Sequence, residues 1–247
     1  MDVDYELTNA IARIHLNRPE RLNAVVPALV EDLVAGLERA HTEGARVVIL
    51  AGRGRAFCAG HDLKEPTPQE TVLETRARLE RIQDATRRIR SFPGPVIAAV
   101  HGYALGAGCE FALGCDLIVA DEGAVFGFPE VGVGLSVTGG ISNLLPRIVG
   151  PARAKEMLLL GEHIPASRAA ELGLVNRVVA AGEHEEAALT IAQAVSARPP
   201  LSASLAKRVI DAGIDATMEE AMATEVEHAI LTSLSGEGDA PKEAFSR

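Results

Sequence analysis

Apolar residues in this chain follow two rhythms, every second position in short runs and every third or fourth in longer ones. Residues 10–16, AIARIHL, alternate as a half-buried strand does, and Tyr5–Leu7 is placed to pair with them as a hairpin. The polar segment NRPERLNA follows as a loop. From Pro27, residues Leu29, Val30, Leu33, Val34 and Leu37 recur at helical spacing, with the proline in the first turn and Gly44 ending the helix. Arg46–Leu50 (RVVIL) reads as a buried strand. Thr67–Ser91 reads as a highly charged helix with Val72, Leu79, Ile82 and Ile89 along its apolar side.

The chain is organised around Pro95–Asp116, PVIAAVHGYALGAGCEFALGCD. An apolar run, Val96–Val100, enters a glycine-rich turn, Gly102–Gly108, and leaves as an apolar segment whose acid is Glu110. That pattern predicts a buried strand, a tight turn and a helix. Such a turn aims free N–H groups at whatever lies over the helix start, where the helix dipole adds positive charge, and so predicts an anion or oxyanion site. Glycines at 102, 106 and 108 do not form G-x-G-x-x-G, and no G-K-[ST] follows, which excludes the common nucleotide loops.

Beyond it, Leu117–Ala120 and Ala124–Phe126 read as short strands, and FGFPEVGVG puts Glu130 in a loop. Residues 138–149 are expected as a helix kinked or broken near Pro146, PARAKEMLLL and SRAAELG as two further helices, and Val175–Val179 as a last strand. From Glu183 the pattern is helical alone, over 183–197, 200–212 and 217–234. The change of pattern predicts a boundary near residues 182–198, set at 190, between a core over residues 1–190 built of irregular β-β-α units and a helical tail over 191–247.

Composition narrows the function. With 247 residues, 47% hydrophobic and 3% aromatic, the chain can bury one substantial core built from Ala, Val, Leu and Gly. A formal charge of −10 argues against nucleic acid or an anionic membrane as partner, so local donors must meet any anionic ligand. Cys58, Cys109 and Cys115 sit in apolar settings without metal-ligand spacing, as reduced core residues of a cytoplasmic protein with no metal. The acidic MDVDYELTNA lacks the order of a signal or transit peptide, and no apolar run reaches the ~20 residues of a membrane helix.

Two carboxylates carry the candidate chemistry. Glu110, in an apolar segment, is either a buried acid with a raised pKa, suited to acid/base work, or a partly exposed residue of a first helical turn. Glu130 is either a surface loop acid or one wall of a cleft. Facing one cleft, the pair could hold a water, one taking its proton while the other gives a proton to carbon. His61 offers an imidazole or its backbone N–H. Ser136 and Thr138 have no His–Asp pairing nearby, which weakens a serine-type nucleophile, and Asp62 and Lys64 read as structural or ligand-steering.

Five segments in order, LNRPERLNA (16–24), VVILAGRGRAFCAGHDLKE (47–65), PVIAAVHGYALGAGCEFALGCDLIVA (95–120), FGFPEVGVG (126–134) and AAELGLVNRVV (169–179), resemble the crotonase, or enoyl-CoA hydratase/isomerase, superfamily over nearly the whole chain. The resemblance implies an α/β spiral of ββα units with a C-terminal helical oligomerisation domain, forming a trimer or a pair of trimers. It also implies an acyl-CoA thioester held by the N–H groups of His61 and Ala107, the latter at a position where glycine is usual. The hydratases' two glutamates correspond to Glu110 and Glu130, which implies addition of water to a 2-enoyl-CoA. Isomerases and hydrolases of the same fold often keep one acid, and some members bind without catalysis. Coenzyme A, part of the substrate rather than a cofactor, is expected along Arg21, Ala24, Ala59, Asp62 and Leu63. Two features depart from the pattern: VGVGLSVTGGISNLLPRIVG replaces the usual proline-and-glycine segment, and KEAFSR ends short of the common basic tail.

Overall fold

The computed structural model describes residues 1–65 and 69–237. The KEAFSR segment and the expected helix start at Thr67 lie outside the described residues. The hairpin forms as expected, β1 (Val3–Thr8) antiparallel to β2 (Ile11–Leu16). After α1 (Pro27–Thr42), β3 (Val47–Gly52) adds parallel to β2. Next come α2 (Val72–Ser91), β4 (Val96–Val100), β5 (Tyr103–Leu105), α3 (Ala107–Gly114), β6 (Leu117–Asp121) and β7 (Val125–Gly127). The remainder comprises α4 (Ile141–Val149), α5 (Pro151–Leu160), β8 (Ile164–Pro165), α6 (Ala166–Glu171), β9 (Arg177–Val179), α7 (His184–Ser196), α8 (Pro200–Gly213) and α9 (Met218–Leu234).

A six-stranded sheet has the order β1-β2-β3-β4-β6-β9, and a three-stranded sheet the order β5-β7-β8. Twice the chain passes from the large sheet to the small one and then into a helix, as β4-β5-α3 and as β6-β7-α4. These are the expected β-β-α units, and their crossings put the glycine turn between the two sheets.

The large sheet is buried on both faces, and the period of two sorts its side chains. Val48, Leu50, Val96, Ala98 and Val100 join Leu29, Leu33, Ile89 and Phe111 in the main core, under the first three helices. Val47, Ile49, Ile97 and Ala99 face the other way and are covered by Ala188 and Ala192 of α7. Small residues there let α7 approach the sheet closely. The boundary expected at residue 190 falls inside this helix. Lys207 of α8 reaches the core through Asp116, at 2.8 Å, whose carboxylate also accepts the Val96 N–H at 2.7 Å.

Some elements depart from the sequence expectation. The glycine turn contains a short strand, β5, and Glu130 sits in a 3-10 turn, Pro129–Val133, instead of an irregular loop. Helix α4 begins at 141 and continues through Pro146, because the ring removes only the bond to the carbonyl four residues earlier. On α2 only Ile82, Ala85, Thr86 and Ile89 are buried, while Val72 and Leu79 face outward. The three cysteines are buried and unpaired.

Candidate active site

The site forms where three backbone segments touch. Residues 22–25 and 59–62 zip together through Ala59 N–H to Leu22 O (3.0 Å), Val25 N–H to Gly60 O (2.8 Å) and Asp62 N–H to Val25 O (3.1 Å). In this parallel bridge between Val25 and His61 the bonds belong to residues 60 and 62, so the His61 N–H points to the opposite side. That side faces the glycine turn. A Cβ on Gly60 would lie 2.9 Å from Leu105 O and 3.7 Å from Gly106 Cα, and one on Gly108 only 2.2 Å from Cys58 O. Glycine is required for this approach.

Ala107 opens α3, where the first N–H groups of a helix have no intrahelical acceptor. Among the described residues, neither the Ala107 N–H nor the His61 N–H donates to a protein atom. Two unpaired donors therefore stand on abutting segments. The His61 imidazole is kept neutral: burial, reinforced by Arg78, lowers its pKa.

Glu110 is in the first turn of α3 and is also buried, at 2% exposure, so both halves of its sequence reading meet in one residue. Its Oε1 accepts the Thr138 N–H and its Oε2 the Thr138 hydroxyl, each at 2.6 Å. Burial raises its pKa against these two bonds. Glu130 is 6% exposed and is not the surface acid that a loop position allows. Its Oε1 abuts Gly106, on which a Cβ would sit 2.8 Å away, and among the described residues its buried Oε2 has no partner. Burial, and then the charge of Glu110, raise its pKa, opposed by its own N–H. Both acids lean on one residue, since Gly106 O also accepts the Glu110 N–H at 2.9 Å.

The other expected contacts differ in exposure. Arg21 and Leu63 are exposed, Ala59 is half-buried and Ala24 buried. The Asp62 carboxylate turns inward to Arg18 Nη2 at 3.3 Å and to the Lys64 N–H at 3.2 Å, which makes its side chain a strut of the loop. Exposed Val131, Val133 and Leu135 lie just beyond Glu130.

The Enoyl-CoA hydratase/isomerase family model matches residues 6–240. The chain belongs to this family. Within it, the chain is 39% identical over 214 residues to 2,3-dehydroadipyl-CoA hydratase of Escherichia coli K12, covering 85% of this chain and 82% of that protein. It is 36% identical over 229 residues to the short-chain-enoyl-CoA hydratase of Clostridium acetobutylicum, covering 92% and 87%. Among solved structures, the enoyl-CoA hydratase of Bacillus anthracis superposes with a TM-score of 0.94 at 34% identity, over all of this chain and 96% of that one. The fold is thus the crotonase spiral.

Two residues of this family member were not assigned their roles from sequence. Thr138, within VGVGLSVTGGISNLLPRIVG, reads in sequence as a hydroxyl without a His–Asp pairing, whereas in the structure it bonds Glu110. Asn23, fully buried in LNRPERLNA, gives its amide N–H groups to Arg53 O, Ala56 O and Phe57 O and accepts the Arg18 N–H, which locks two loops together. Asn at a positive φ of 56° is the residue type suited to that bend.

Proposed function

We propose that this protein is an enoyl-CoA hydratase, adding water reversibly to a 2-enoyl-CoA to give a 3-hydroxyacyl-CoA. The observation that carries this reading is a pair of buried glutamates, Glu130 with its carboxylate against Gly106 and Glu110 bonded to the same residue through its main chain, beside two unpaired main-chain donors. The thioester oxygen accepts from the His61 and Ala107 N–H groups, each donor of this kind being worth about 2.7–4 kcal/mol in the transition state. Glu110, gripped by two donors as a carboxylate, takes a proton from water as the water oxygen bonds to C3. The double-bond electrons move toward the thioester oxygen, and Glu130 delivers its proton to C2. Its free Oε2 and raised pKa favour a protonated acid there.

Coenzyme A runs along the rim at Arg21, Ala24, Ala59, Asp62 and Leu63, with Asp62 acting through loop shape. Residues 191–247 serve as the oligomerisation region of a homotrimer or dimer of trimers, a reading supported by the exposed Ile210, Ile214, Met222, Val226, Ile230 and Leu234. Among the described residues no helix is long and apolar enough to cross a membrane. Three buried free thiols suit a reducing, cytoplasmic setting.

The test is to mix the protein with crotonyl-CoA and longer 2-enoyl-CoAs and follow loss of the conjugated thioester absorbance. Hydration is expected. Absence of hydration at every chain length, with conversion of 3-enoyl-CoA or release of free CoA instead, would move the assignment to isomerase or hydrolase.

A further inference from the structure

Thr138 approaches Glu110 with two donors, its N–H on Oε1 and its hydroxyl on Oε2, both at 2.6 Å. A main-chain N–H can only donate, whereas a threonine hydroxyl donates one proton and can also accept; with the hydroxyl donating to Oε2, both carboxylate oxygens are met by donors, which favours the ionised form. The chain is bent to make this possible. Gly139 and Gly140 have φ of +56° and +77°, and a Cβ on Gly139 would meet the Glu110 Cβ at 2.8 Å. The turn therefore presses residue 138 onto the acid.

We propose that Thr138 is a positioning residue of the reaction, a clamp that holds Glu110 in one rotamer as the ionised base and so fixes which of the two glutamates takes the proton from water. The inference rests on the hydratase reading and goes beyond it by making the division of labour depend on a hydroxyl. Glu130 has no such clamp: its Oε2 is buried without a protein partner among the described residues. The other titratable groups that feel Glu110 are the thiols of Cys58, pushed up to about 12 by burial, and Cys109, pushed up likewise, so neither competes as a base at neutral pH.

The test compares Thr138→Val and Thr138→Ser with wild type in the pH profile of kcat/KM for crotonyl-CoA. In parallel, the Glu110 carboxyl is titrated by carbon-13 NMR, assigned with Glu110→Gln. Valine is expected to lower kcat about tenfold with little change in KM, and to move the acidic limb and the Glu110 midpoint up by roughly one pH unit, the size of one lost charge-assisted bond. Serine should restore both. A Glu110 midpoint unmoved in Thr138→Val, or a serine variant that behaves like valine, overturns the clamp. If the valine variant does not fold, Thr138→Ala carries the same comparison. The titration needs no turnover, so a wild type that hydrates nothing while the midpoint still moves would sink the hydratase reading and leave the clamp standing.

Discussion

Gly106 lies directly against Glu130, leaving no space for a methyl group: a Cβ at 106 would stand 2.8 Å from Oε1. The same glycine has φ +51°, in the half of backbone space that L side chains avoid, and its carbonyl receives the Glu110 N–H. Gly106→Ala should therefore strike both acids at once. We expect kcat to fall by about a hundredfold or more, as for small misplacements of reacting groups, with roughly 1–2 kcal/mol lost in urea unfolding. An alanine variant of full activity would show that the turn does not set the acids' positions.

The two acids are expected to respond alike to replacement by glutamine and differently to pH. Glu110→Gln and Glu130→Gln should each lower kcat by about 10²–10⁴ while leaving the circular dichroism spectrum intact. In wild type, kcat/KM should be bell-shaped, rising as Glu110 ionises and falling as Glu130 loses its proton. Both limbs should lie above the ordinary carboxylate range, since burial raises both pKa values. Full turnover in either glutamine variant would remove that residue from the mechanism.

Acid should weaken the rear of the sheet through His184. This ring is buried at the start of α7, stacked on His101 at 4.6 Å, with Asp121 at 3.9 Å from its Nδ1. Burial, then His101 and His15, lower its pKa against Asp121 and Glu185. A histidine with a folded-state pKa below its unfolded value binds more protons when unfolded, so stability falls as pH drops through about 6.5. Glu185, lowered by its bond to His15, pulls in the same direction at lower pH. His184→Phe keeps the stack and should flatten the decline in Tm between pH 7 and pH 5; an unchanged decline would put its cause elsewhere.

Lys207 and Asp116 pin α8 to the core. Removing the lysine leaves a carboxylate whose pKa burial already raises despite the lysine. Lys207→Met should cost roughly 2–4 kcal/mol in denaturant unfolding, below the largest values for buried pairs because the Asp116 side chain keeps 22% exposure. The double variant Lys207→Met with Asp116→Asn should recover much of that loss. Equal destabilisation in the single and double variants would show that the charge pair is not the cause.

Alternation along 10–16 and continuous apolar runs along 46–50 and 96–100 disclose strands of the large sheet, because a half-buried strand alternates while one covered on both faces is apolar throughout. The small sheet was largely hidden. Its strands β5 and β8 have three and two residues, the first inside a glycine turn and the second ending in proline, too short for any period. Glu110 and Glu130 stand out by their apolar neighbours, and Glu110 follows Gly106 by one helical turn, yet the contact of Glu130 with that glycine comes from the crossing between sheets and leaves no trace in spacing. The grip of Thr138 on Glu110 spans 28 residues and depends on two left-handed glycines, so only coordinates disclose it.

At Gly60 and Gly108 main chain rests on main chain, against the carbonyls of Leu105 and Cys58. The gap between the amides of residues 61 and 107 is thus a matter of bond lengths and peptide planes, like the opening of a rigid spanner. Exposed side chains such as Leu63, Val131 or Leu135 can vary while that opening keeps its calibre.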